Sequence, residues 1–295
     1  MRRISRNIKV AITVDVDAIA GWLGSYGGED SPCDLSRGEF AGKVGTLRLL
    51  NLFKRHKIKT TWFVPGNSAE TFKDRLKKVA DEGHEISPHG YSHENPTRLS
   101  IAQEEKILIR STELCEDLSG ERPVGYRAPW WEFSKNSIDL LLKHKFVYDS
   151  SMMAEEFHPY WLRKGDRWYK IDYTKDAESW MKPYEFGKEV RIVEIPVSWY
   201  LDDLPPMMFI KHPNYNYGYT SPKDMYEIYK AHFDYLYNVE LQGCLCLTIH
   251  PDVSSRPHVL PILDKFIRYV KRHDDAKFLT MKKIAEDFIR ANGYS

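Results

Sequence analysis

The sequence is short of cysteine, of long apolar runs and of any surplus of charge, and each shortage removes a class of protein. Its 295 residues include 4 cysteines, and Cys33, Cys115, Cys244 and Cys246 form no C-x-x-C pair. That spacing fits neither a thiolate zinc cluster nor a small disulfide-built scaffold. Cys244 and Cys246 alternate within an apolar run and read as small buried strand residues. No stretch approaches the ~18 apolar residues that a membrane span needs. The basic start, Met1-Arg2-Arg3-Ile4-Ser5-Arg6, leads only into the short run 8–14 before Asp15, too little for the core of a signal peptide. These readings predict a soluble, cytoplasmic protein with reduced thiols and no membrane partner. Lys+Arg (43) and Asp+Glu (42) nearly cancel to a formal charge of +1. A dedicated nucleic-acid binder would show a basic excess or stripe, so no nucleic-acid partner is expected.

Aromatic residues, by contrast, are plentiful, with 8 Trp and 18 Tyr. They suit an aromatic-lined cleft and a large core alike. Strand-like and helix-like segments alternate through the first half. Residues 8–14, 59–64, 84–87, 123–128 and 146–149 are β-prone, with helical spacing at 47–53, 69–82, 101–118 and 135–144 between them. The segment 18–45, rich in Gly and acids and without periodicity, predicts a long functional loop. Alternation lapses at about 150–190, where Phe157, Tyr160, Trp161, Trp168, Tyr169, Tyr173, Trp180, Tyr184 and Phe186 crowd a polar stretch. This reads as an insertion lying over the core, able to roof a cleft. A strand at 190–197, an apolar loop at 199–209, a helix at 221–238, a strand at 243–249, a helix at 258–272, a strand at 277–280 and a helix from 281 complete the chain. The pattern predicts α/β architecture: one parallel α/β barrel over residues 1–295, with its site at the C-terminal ends of the strands.

Chemistry-bearing residues recur at those ends. His89 and His93 stand four apart in Pro88-His89-Gly90-Tyr91-Ser92-His93. On one helical turn both imidazoles would reach a single ion. Asp15 and Asp17 are two apart at a strand end and point the same way. A cation beside them relieves their repulsion, and one can bind it while the other takes a proton. Asp17, His89 and His93 form a two-His, one-carboxylate set for one divalent metal ion, zinc by preference.

Val14-Asp15-Val16-Asp17, then His89 to His93, Arg127-Ala128-Pro129-Trp130-Trp131, Asp149, and Leu247-Thr248-Ile249-His250 together resemble the ordered motifs of the polysaccharide deacetylase (NodB-homology) family. The resemblance spans residues 8–255. The strings at 20–32 and 199–208 resemble the branch that holds the Helicobacter-type peptidoglycan deacetylase and bacterial cyclic imide hydrolases. Two departures stand out. The first motif reads V-D-V-D where many members read T-F-D-D, and Arg127 is present where that branch often lacks the arginine.

The resemblance implies a distorted (β/α) barrel of the NodB type and a metal-dependent hydrolase of non-peptide C–N bonds. Asp17, His89 and His93 would hold the metal. Asp15 would be the base toward the attacking water, oriented by Arg127. His250 would be the acid for the leaving nitrogen, paired with Asp149. Trp130 and Trp131 would line the substrate pocket, and their backbone N–H groups would face the oxyanion. The substrate expected is an N-acetylated glycan. A small cyclic imide or ureide is the alternative, and a non-catalytic carbohydrate-binding barrel is the rival from another class. The apolar loop at 204–209 reads equally as pocket wall or as the contact of a homo-oligomer.

Overall fold

A computed structural model describes residues 6–211 and 219–294; the basic residues 1–5 lie outside it. Nine strands are β1 (Asn7–Asp15), β2 (Thr61–Val64), β3 (Glu85–Pro88), β4 (Gly125–Tyr126), β5 (Tyr148–Asp149), β6 (Tyr160–Lys164), β7 (Lys188–Glu194), β8 (Gln242–Ile249) and β9 (Ala276–Phe278). Between and after them run helices α1 (Ala18–Gly24), α2 (Pro32–Phe40), α3 (Thr46–His56), α4 (Gly66–Thr71), α5 (Lys73–Asp81), α6 (Ile101–Ser119), α7 (Ser137–Lys143), α8 (Leu204–Met207), α9 (Pro222–Tyr235), α10 (Pro251–Ser254), α11 (Leu260–Val270) and α12 (Met281–Asn292).

Two hydrogen-bonded sheets follow the orders β3-β2-β1-β8, with β9 also on β1, and β4-β5-β7-β6. All pairings are parallel except β6 with β7. Single links join the sheets at both seams. The Arg127 N–H donates to Pro88 O at 3.4 Å beside β3 and β4, and Asp202 bridges to Thr248 of β8. The result is a distorted ring of parallel strands, α/β in class as expected.

Alternation along β1 explains the layering. Ile8, Val10, Ile12 and Val14 face the helices and join the large cluster with Leu49, Phe53, Leu76 and Phe266. Ala11 points inward to Phe63, Tyr148, Val193, Cys244 and Cys246. All four cysteines are free, and Cys244 and Cys246 are buried strand residues as expected.

Segment 18–45 is not a loop. It holds α1, α2 and a π-helical turn at Ala41–Gly45. The start of α2 is capped: Ser31 accepts from the Asp34 N–H and Pro32 follows at the first helical position. The aromatic insertion also differs from expectation. Its ribbon pairs Lys164 with Lys188 and continues through an Arg167–Glu185 bridge, past the N-terminal end of β7. It therefore grows away from the C-terminal strand ends and does not roof the cleft. Trp168, Tyr173 and Phe186 on it are exposed.

Close packing around β4 makes a sharp test. A Cβ on Gly125 would lie 1.9 Å from Tyr148 Cζ, and the Tyr148 ring is fully buried with its hydroxyl donating to Glu85 at 2.7 Å. Gly125→Ala should destabilise the fold by about 1–3 kcal/mol, read as a lower denaturant midpoint. An unchanged midpoint would show that the ring moves aside freely.

Candidate active site

Four strand ends converge on one pocket. Asp15 closes β1 and Asp17 follows it; His89 follows β3; Arg127 follows β4; His250 follows β8. The pocket holds about 540 Å³ of empty space, and Asp15, Asp17, His89, His93, Trp130, Trp131 and His250 all line it. Arg127 lies beneath, fully buried, and Asp149 is buried apart from it.

The histidine pair is not helical. His89 leaves β3, and the chain then bends through Gly90 at φ 66° and His93 at φ 57°. The spacing still works because the turn brings the rings to a centroid distance of 4.9 Å. Each ring is fixed through Nδ1. His89 Nδ1 donates to the Arg127 carbonyl at 2.8 Å, and His93 Nδ1 meets Ser25 Oγ. Both Nε2 atoms are thereby presented to Asp17, at 3.6 Å from Oδ1 for His89 and 3.3 Å from Oδ2 for His93. Tyr26 donates to Asp17 Oδ2 at 2.6 Å, whereas buried Oδ1 has no hydrogen-bond partner.

One ligand atom from each of Asp17, His89 and His93 lies within 4.8 Å of the others. An orphaned carboxylate oxygen facing imidazole nitrogens whose far sides are already bonded is a donor set that fits a divalent cation. Electrostatics agree. Burial pushes His89 down to about 4 and lowers His93, keeping both rings neutral. Burial opposes the Asp17 charge, but His93, His250 and His89 outweigh it and hold the carboxyl at about 2.

Ser25 and Tyr26 directly follow helix α1, which lies on the histidine turn and so delivers both hydroxyls to it. A Cβ on Gly24 would lie 2.0 Å from Ser92 O, so only glycine permits the approach. Sequence periodicity gave no sign of these two hydroxyls.

Arg127 donates from Nη1 to Asp15 Oδ1 and to Thr13 Oγ1, both at 2.8 Å. Nε bonds Ser150 O at 2.9 Å, and Nη2 bonds Ser150 Oγ at 3.0 Å and Cys246 Sγ at 3.7 Å. The expected Arg127–Asp15 pairing is thus present. Asp15 keeps Oδ2 toward the pocket, 3.9 Å from His89 Nε2.

The expected partner of His250 is not. His250 Nδ1 donates to Asp203 Oδ1 at 2.8 Å, and the same carboxylate accepts the His250 N–H at 3.0 Å and Ser254 Oγ at 2.5 Å. Asp202 Oδ1 stands 3.5 Å from Nδ1. Burial opposes charge on this imidazole, but Asp202, Asp203 and Asp17 carry its pKa well above the ordinary value. Nε2 points to Asp17 Oδ2 at 3.6 Å. Asp149 instead accepts from Ser151 Oγ at 3.0 Å and shares a hydrogen bond with Glu194. Topology explains the exchange: the turn after β7 bridges to β8, whereas β5 is separated from β8 by β7.

Trp130 and Trp131 take φ of 64° and 51°. Trp131 stacks on Trp199 at 4.3 Å. Its N–H donates to Ala128 O at 3.1 Å within a tight turn, so of the two expected oxyanion donors the Trp131 N–H is already engaged.

Fold and site together define a parallel α/β barrel with a metal-type ligand set at its strand C-termini. The polysaccharide deacetylase family model matches residues 37–148. A Helicobacter pylori peptidoglycan deacetylase is 52% identical over 289 residues, 98% of this chain and 99% of that protein. A Mycobacterium smegmatis structure assigned to the polysaccharide deacetylases superposes with a TM-score of 0.82 at 32% identity, over 99% of this chain and 93% of its own. The PuuE allantoinase structure shares the fold, with a TM-score of 0.78 at 22% identity over 98% and 93% of the two chains. The chain belongs to the polysaccharide deacetylase family.

Two outcomes follow. Tyr26→Phe should weaken divalent-metal affinity about 10- to 100-fold, measured by chelator competition; equal affinity would mean that the hydroxyl does not orient Asp17. The buried Asp149–Glu194 pair sets the second. Burial raises Asp149 to about 6 and Glu194 well above its ordinary value. Acids raised in the fold bind more protons folded than unfolded, so their contribution is present at low pH. It is lost as pH climbs from the ordinary carboxylate range through about 6 and beyond. Glu194→Gln should flatten this decline, so that the variant gains on wild type between pH ~5 and ~8 in urea unfolding. Parallel pH profiles would refute the shared proton.

Proposed function

We propose that this chain is a metal-dependent amide hydrolase that removes the N-acetyl group of an amino sugar in a peptidoglycan-like glycan. What carries the reading is the order of groups around Asp17: Asp15 with Arg127 on one side, His250 with Asp203 on the other, and the ligand set between. The name and similarity of the Helicobacter pylori relative support the substrate class. A catalytically dead barrel would lack a residue of ligand, base or acid type, and the presence of all three types around the pocket supports the enzymatic reading.

When bound to Asp17, His89 and His93, a divalent ion, zinc by preference, would supply Lewis acidity to the scissile carbonyl. Asp15 accepts a proton from the attacking water as the new C–O bond forms. Arg127 holds Asp15 Oδ1, which leaves Oδ2 aimed inward. His250, kept protonated by its carboxylate neighbours, passes a proton from Nε2 to the nitrogen as the C–N bond breaks. Acetate and the free amine are the products. Trp130 and Trp131 exclude water and hold the acyl side.

A second reading, ring opening of a cyclic imide or ureide, draws on the same groups. The wall of Trp130, Trp131, Trp199 and Ile210 favours it, because it narrows the pocket for a small planar substrate.

Purified protein should carry about one divalent ion per chain, lost in His89→Ala. Acetate release from N-acetylated sugars should exceed ring opening of succinimide or hydantoin, and Asp15→Asn should lower kcat about 10²- to 10⁴-fold. Full activity after complete metal removal would sink the mechanism. Ring opening without acetate release would replace the substrate.

A further inference from the structure

Among the polar side chains of the pocket, Asp202 has a place that its contribution to the His250 charge does not use up. Asp17, His89 and His93 form the ligand set, Ser25 and Tyr26 orient it, and Asp15 and His250 flank it. Asp202 also lines the pocket, buried to 3% exposure, on the turn that carries Trp199. It is not the acceptor for His250, whose single Nδ1 proton goes to Asp203 at 2.8 Å while Asp202 stands at 3.5 Å. Nor does its structural contact require charge. Asp202 Oδ1 accepts the Leu204 N–H at 2.8 Å, a bond that an asparagine oxygen would make as well. A carboxylate as buried as Asp202 is poorly solvated, and a donor from the substrate would relieve that cost.

Its place also says which half of the substrate it meets. Asp202 sits beside His250, the group proposed to serve the leaving nitrogen, and both line the pocket. We propose that Asp202 is a specificity-determining residue that accepts a hydrogen bond from an O–H or N–H on the amine half of the substrate, next to the scissile nitrogen. This rests on the deacetylase reading and deepens it. In an N-acetylhexosamine the donor is a hydroxyl on a ring carbon next to the one that bears the nitrogen.

The experiment pairs Asp202→Asn, which keeps the bond to Leu204, with a substrate that lacks the donor. Wild type and variant are assayed for acetate release from an N-acetylhexosamine disaccharide and from its 3-deoxy analogue. Wild type should lose about 10- to 100-fold in kcat/KM on the analogue, and Asp202→Asn should lose a similar factor on the parent, mostly through KM. On the analogue the substitution should add little. A loss of the same size on both substrates would overturn the assignment, because it would place Asp202 in the alignment of His250. If wild type releases no acetate but opens rings, the deacetylase reading fails separately. The same cycle then runs with hydantoin, which carries a second N–H, against succinimide, which does not; an Asp202→Asn effect confined to hydantoin supports the recognition role, and an equal effect refutes it. Turnover of none of these compounds would overturn both readings.

Discussion

A guanidinium buried at the centre of the strand ring constrains everything around it. Arg127 is fully enclosed, and an uncompensated charge there would cost several kcal/mol. Its five N–H donors are all used, by Asp15, Thr13, Ser150 O, Ser150 Oγ and Cys246. The small inward residues Ala11, Thr13 and Cys246 leave room for it, and the Phe63 ring lies under it at 4.2 Å. Breaking such a pair by removing one partner typically costs about 3–5 kcal/mol. The interior of the barrel is therefore committed to holding Asp15 in one orientation, and catalytic geometry and core packing become one requirement. The Asp149–Glu194 pair belongs to the same arrangement. Glu194 Oε1 accepts the Ser151 and Met152 N–H groups at 2.9 Å, which fixes the turn that presents Ser150 to Arg127.

On the opposite side the same logic is used with the reverse sign. His250 is buried among Asp17, Asp202 and Asp203, so its charge is favoured where a lone buried imidazole would be neutral. Two histidines held neutral and one held charged, within one pocket, separate the candidate ligands from the candidate acid. The division is set by partner identity. Ring nitrogens of His89 and His93 face a backbone carbonyl and a hydroxyl, whereas His250 faces a carboxylate.

Much of this was legible in the sequence because strand ends are where a parallel barrel exposes its chemistry. Asp15, Asp17 and His89 were found from polar residues closing β-prone runs, Arg127 and His250 from the resemblance to the family's ordered motifs, and the structure brings all of them together. His93 was found for a partly wrong reason. Spacing suggested a helical turn, whereas the real turn needs positive φ at Gly90 and at His93 itself. Three failures share a cause: they depend on which strands become neighbours. Asp203 reaches His250 only because the chain after β7 returns beside β8. Ser25 and Tyr26 reach the ligands only because α1 packs on the histidine turn. The aromatic insertion, prominent in composition, extends from the far end of β7 and contributes nothing to the pocket wall among the described residues. Local pattern carries none of this information.

Four of the seven non-glycine residues with positive φ among the described residues lie at the site, while Lys57, Lys145 and Leu241 follow helix ends elsewhere. Ala18, His93, Trp130 and Trp131 all hold positive φ, which for residues other than glycine costs of order 1–3 kcal/mol each. Ala18 directly follows Asp17, His93 is a candidate ligand, and the two tryptophans line the pocket. A fold under selection for stability alone would relax these positions with glycine or a different turn. In this chain the positive φ values set the directions in which the His93, Trp130 and Trp131 rings enter the pocket. The same argument separates barrel from pocket. The strands, unstrained and regular, fix where the reaction occurs, and the strained turns after β1, β3 and β4 fix what fits there. Selectivity should therefore follow the Trp130–Trp131 turn and the 199–210 wall, while the Asp15–Arg127 and His250–Asp203 pairs stay the same beneath any substrate that fits.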